Sequence, residues 1–122
     1  MAMNAVSKEW WRDPRCHFGE LTRDSPRLHQ RDNIQPAIEF ICTELVLPTR
    51  ARILDLCCGP GRYAVELAHR GYGAVGLDIN ERYIALARQL AEREGVQATF
   101  LTGDMREIPF ESHFDAIINV GT

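Results

Sequence analysis

The chain has 122 residues, 45% of them apolar and 25% charged, with a formal net charge of -3. That length supports one domain with a modest core, and the acidic balance argues against nucleic acid as a partner, since a phosphate-backbone binder carries a positive excess. No apolar run is long enough to span a membrane and the opening residues carry no secretory-signal pattern, so a soluble, cytoplasmic protein is expected.

Residues 1–32 are mixed in charge and rich in Arg, Asp and Pro, with Trp10-Trp11 as their aromatic cluster and little periodicity; they read as a separate N-terminal segment, either a lid or a poorly ordered stretch. Residues 33–122 read as the domain proper. Asp32 or Asn33 caps a predicted helix running to about Val46, with Pro36 tolerated in its first turn and Pro48 as its stop. Ile34, Ile38, Ile41 and Leu45 fall on one face of it. A short apolar strand follows at Ile53–Leu56, then a glycine turn, then a helix from Arg62 to Arg70 closed by Gly71. Gly73–Asp78 is a second strand, Asn80 caps a helix to about Glu94, Gly95 ends that helix, and Ala98–Leu101 is a third strand. Phe114–Val120 is apolar enough for a fourth strand buried on both faces. Alternating strands and helices imply right-handed crossovers and a parallel sheet.

The chemistry concentrates in Asp55-Leu56-Cys57-Cys58-Gly59-Pro60-Gly61. A strand, a tight turn and a helix bring backbone N–H groups close to a ligand, because Gly59 and Gly61 carry no side chain to keep it away. Gly59-Pro60-Gly61-Arg62-Tyr63-Ala64 also fits the dinucleotide pattern G-x-G-x-x-A, a weak match by itself. Asp55 separates the two ligand classes. A carboxylate there opposes a pyrophosphate and attracts the ammonium and sulfonium of S-adenosylmethionine. Asp78, at the tip of the second strand, suits a ribose diol in either class. Its plainer role is to open the next helix.

The spacing acid-x-Cys-x-Gly-x-Gly resembles the first motif of the class I S-adenosylmethionine-dependent methyltransferases, with Cys57 in place of the first glycine. The resemblance covers about residues 34–122. It implies a Rossmann-like parallel sheet flanked by helices with strand order 3-2-1-4, apparently truncated after the fourth strand of a larger fold. It also implies a set of cofactor contacts: Asp55 for the amino-acid end, Cys57, Cys58, Gly59 and Gly61 for the turn, Asp78 for the ribose and Ile79 for the adenine face. Asp104 would take the adenine amino group, with Met105 lining the ring; Asp104 also reads as an ordinary turn acid. Asn119, a polar residue in an apolar strand, is placed near the sulfonium, or else bonds only backbone at the strand end.

The function this implies is methyl transfer to a small-molecule acceptor. The alternatives are a non-catalytic S-adenosylmethionine-binding module and an NAD-binding oxidoreductase domain. No catalytic base is assigned: His17 and His29 are the nearest candidates, with His69 and His113 scattered on other elements. Cys16, Cys42, Cys57 and Cys58 include no C-x-x-C pair, so no metal site is expected. An apolar fourth strand at the sheet edge invites pairing with another chain, most simply a second copy through residues 114–120.

Overall fold

A computed structural model describes residues 34–109 and 113–120. The N-terminal segment, with Trp10, Trp11, Cys16, His17 and His29, lies outside the described residues, as do the proposed caps Asp32 and Asn33. In chain order the elements are α1 (Gln35–Leu45), β1 (Arg52–Leu56), α2 (Arg62–His69), β2 (Gly73–Asp78), α3 (Glu81–Glu94), β3 (Thr99–Thr102) and β4 (Ala116–Ile118). The sheet has the order β3-β2-β1-β4. Every pairing is parallel, with Asp55 of β1 beside Gly76 of β2 on one side and Ile118 of β4 on the other.

Parallel pairing forces α2 and α3 to carry the chain back along the sheet, and both pack on its strands, while α1, which precedes β1, packs against α2. Ile38, Ile53, Val65, Leu67, Ile84, Leu90 and Phe100 form the main core. Leu54, Val75 and Leu77 make a second cluster, with Leu56, Leu101 and Phe114 packed on it. Alternation along the strands separates the two sets: Ile53 and Asp55 share the first face, Leu54 and Leu56 the second.

Helix ends follow the local chemistry. The Asn80 side chain accepts hydrogen bonds from the backbone N–H groups of Arg82 and Tyr83, and Gly95 takes a left-handed φ of 68° to close α3. Gly71 does the same after α2. Two expectations need correction. α1 ends as expected, at Leu45 with Val46 as its C-cap turned to φ 47°, two residues ahead of Pro48, but Leu45 at the end of the apolar stripe is exposed. The fourth strand is three residues long, not seven, and Ile117 is 56% exposed, so β4 is not buried on both faces. Asp115 holds the strand start instead: its N–H donates to the Arg52 carbonyl at 2.8 Å and its carboxylate accepts from the Arg52 N–H at 2.8 Å.

Candidate cofactor site

The carboxyl ends of β1 and β2, the turn between β1 and α2, and the loop after β3 converge on one edge of the sheet, where the strand order reverses beside β1. Asp55, Cys57, Gly59 and Gly61 come from the turn side, Asp78 and Ile79 from β2, and Asp104 and Met105 from the loop. Asn119 follows the last residue of β4, whose partner is Asp55; it is exposed, and so lies past the strand end instead of inside an apolar strand.

The turn is shaped by three positive φ angles, at Cys57 (57°), Gly59 (57°) and Gly61 (87°). Its two glycines serve different ends. A Cβ at Gly61 would stand 2.7 Å from the Ala87 Cβ and 3.0 Å from the Phe100 ring, so this glycine lets α2 start against α3 and β3. A Cβ at Gly59 would meet nothing within 4 Å, so this glycine faces open space at the mouth. Cys58 donates its N–H to the Leu77 carbonyl, tying the turn to β2. Its thiol packs on Gly76, since a Cβ there would approach the sulfur to 2.7 Å. Burial, reinforced by Asp55 and Asp78, pushes that thiol above its usual range, so it stays protonated. Cys57 points elsewhere, with its sulfur 3.1 Å from the Met105 sulfur.

Three carboxyl groups give the site its electrostatics. Asp55 is 4% exposed, and burial, with a further contribution from Asp78, raises it from 3.8 to about 7. A cation placed against it restores the charged form. Asp78 accepts from the Gly59 N–H at 2.9 Å on one oxygen and from the Asn80 N–H at 2.9 Å on the other. Asp104 accepts from the Arg106 backbone N–H at 2.9 Å and from its guanidinium at 2.6–3.1 Å.

Two features of this region are not legible as motifs. Arg106 as the partner of Asp104 is one, although an acid followed two residues later by a base is compatible with a side-chain turn. The other is Glu66, buried in α2 and accepting from the Gln35 side chain at 3.0 Å; this pair docks α1 on α2. His69 ends α2, 3.5 Å from Glu94, at the edge of the sheet opposite Asp55. Among the described residues no three His, Cys, Asp or Glu side chains gather as a metal set.

The donor set fits S-adenosylmethionine. Three acids, of which the buried Asp55 would be ionised by a cation placed against it, stand around a turn whose outer glycine faces open space. Family comparison agrees: residues 53–122 match the model described as "Methyltransferase domain". The chain is 40% identical over 76 residues to YqeM of Bacillus subtilis, covering 62% of this chain and 30% of that protein. It is 27% identical over 113 residues to the ubiquinone biosynthesis O-methyltransferase of Rickettsia felis, covering 93% of this chain and 44% of the relative. A solved tRNA (uracil-54, C5)-methyltransferase of Pyrococcus abyssi, in complex with S-adenosyl-L-homocysteine, superposes with a TM-score of 0.60 at 32% identity, over 70% of this chain and 21% of that one. The chain spans 30% and 44% of the length of the two curated relatives named. It belongs to the methyltransferase-domain family, within the class I S-adenosylmethionine-dependent methyltransferases.

Proposed function

We propose that this chain binds S-adenosylmethionine at the carboxyl edge of its sheet and forms the cofactor-holding part of a methyltransferase acting on a small molecule. The observation that carries the reading is the buried Asp55 beside the glycine turn, a site suited to a cation and unsuited to a pyrophosphate. S-adenosylmethionine supplies a methyl group on a sulfonium, already activated for displacement by an acceptor N, O or C atom. The work of these residues is positioning and exclusion of water. Asp55 takes the ammonium of the amino-acid end, and Gly59 admits the ligand to the backbone of the turn at Cys57 and Cys58, while Gly61, expected from the sequence to share that role, seats the turn against α3 and β3. Asp78 accepts from the ribose hydroxyls, Ile79 and Met105 flank the adenine, and Asp104 accepts from its amino group. Asn119, past β4, stands on the side where an acceptor would approach.

The net charge of -3 supports a small acceptor over a polyanion. The likeness to a tRNA methyltransferase favours RNA as a second reading. Cys42, Cys57 and Cys58 as thiols outside any disulfide support a cytoplasmic setting, and no helix among the described residues is long and apolar enough to cross a membrane. The exposed Ile117 on β4 supports pairing with a second copy along that edge; light scattering giving a monomer at high concentration would rule this out. The cofactor reading is tested by calorimetric titration with S-adenosylmethionine, S-adenosylhomocysteine and NAD. Saturation by the first two and none by NAD is expected; saturation by NAD alone would refute the assignment. A screen for transfer of labelled methyl to small molecules and to tRNA then separates a catalyst from a binding module.

A further inference from the structure

Asp78 and Asp104 have parallel tasks in the proposed site, yet they are held in different ways. The partners of Asp78 are backbone N–H groups of Gly59 and Asn80, which cannot leave without undoing the turn and the start of α3. The partner of Asp104 is largely a side chain. The Arg106 guanidinium donates from Nε to both carboxylate oxygens, at 3.0 and 3.1 Å, and from a terminal nitrogen to Oδ2 at 2.6 Å. A forked, charge-assisted pair of this kind is directional and occupies the acceptor edge of the carboxylate. The Arg106 side chain is 60% exposed and that of Asp104 only 15%, so the guanidinium can swing into water while the acid stays in place. Met105, between them, sets its sulfur 3.1 Å from Cys57, which keeps the loop against the first turn.

We infer that Arg106 is a built-in competitor for the adenine acceptor: its guanidinium holds Asp104 and gives way to the amino group of the purine. The inference rests on the proposed cofactor reading, in which Asp104 meets adenine. It makes Arg106 a determinant of affinity and of base selectivity. A 6-amino purine brings a donor to Asp104 and must displace the fork. A 6-oxo purine brings an acceptor, which the carboxylate repels and the guanidinium can bond. Arg106 therefore lowers affinity for the amino purine and softens the rejection of the oxo purine. An exposed ion pair is worth little, so the effect on affinity is about two- to fivefold.

The test is calorimetric titration of S-adenosylhomocysteine and its deaminated counterpart S-inosylhomocysteine into the wild-type chain, Arg106→Gln and Asp104→Asn, each with a melting curve. Arg106→Gln is expected to melt with the wild type, to bind the adenosyl compound about two- to fivefold more tightly, and to widen the amino-over-oxo preference. Equal or weaker binding by Arg106→Gln, in a chain where Asp104→Asn narrows that preference, would overturn the competition and make Arg106 a positioning residue. A preference unchanged by Asp104→Asn would remove the acid from the base-reading role, and the competition with it. Absence of binding to every form would retire the cofactor reading itself.

Discussion

Adding a single methyl group at each glycine of the first turn separates folding from binding. At Gly61 an alanine must hold a φ of 87° and place its Cβ 2.7 Å from Ala87 and 3.0 Å from the Phe100 ring. The left-handed backbone costs about 1–2 kcal/mol for a residue with a Cβ, and forcing a methyl group into a filled contact costs about 1–3 kcal/mol. The sum is about 2–5 kcal/mol, against a typical domain stability of about 5–15 kcal/mol. At about 4 °C per kcal/mol for a chain of this size, Gly61→Ala should melt about 8–20 °C below the wild type. Gly59→Ala pays only the backbone term of about 1–2 kcal/mol, since its Cβ would meet nothing within 4 Å, which corresponds to a drop of about 4–8 °C. Its defect should appear in S-adenosylhomocysteine titration instead, because the methyl group projects into the space where the cofactor is placed. Parallel melting and titration of the two variants is the assay. Equal melting drops, or a Gly61→Ala chain that melts with the wild type, would refute the assignment of Gly61 to packing and Gly59 to the ligand.

Three further outcomes are expected. The folded chain holds the Asp55 proton more tightly than the unfolded chain does, so this residue erodes stability as pH rises from about 4 to about 7; the displacement from 3.8 to about 7 is of order 4 kcal/mol. Asp55→Asn should accordingly resist urea better than the wild type at pH 8 and nearly equally at pH 4, and a difference of the same size at both would contradict a displaced Asp55. Cys57 holds a φ of 57°, so Cys57→Gly should stay within about 1 kcal/mol of the wild type while β-branched Cys57→Val loses about 2 kcal/mol or more; urea midpoints decide, and equal values would show that the turn adapts. Asp78→Ala takes the side-chain acceptor from two N–H groups and should cost about 1–3 kcal/mol in melting. It should also abolish measurable heat with S-adenosylhomocysteine, and undiminished heat would move the ribose elsewhere.

The elements most legible in the sequence are those whose ends are set by local chemistry. Asn80 and Gly95 bracket α3 through a side-chain cap and a left-handed glycine, and Gly73–Asp78 is found as read. The three candidate carboxylates are legible because each lies near the carboxyl end of a strand or just past it. What the sequence conceals depends on neighbours. The apolar run from Phe114 to Val120 reads as a long strand, but pairing with β1 uses only Ala116 to Ile118. No motif marks Glu66 for burial; it is buried in α2, where its carboxylate accepts from Gln35 of α1. Val46 gives no sign that it turns left-handed, since a β-branched residue is among the least suited to do so. Asp104 is visible as a turn acid, whereas its engagement by Arg106 depends on a side-chain conformation that spacing does not specify.

Asp78 has a consequence for how such a protein can change over evolutionary time. One carboxylate clasps both the glycine loop and the beginning of the following helix, so the group assigned to the sugar is also a rivet of the scaffold. Replacing it with a basic residue, as a cofactor phosphorylated on its ribose would demand, strips two amides of their acceptor before any new ligand arrives. Cofactor choice is thus inherited together with foldability, and a lineage can exchange acceptors far more readily than it can exchange donors.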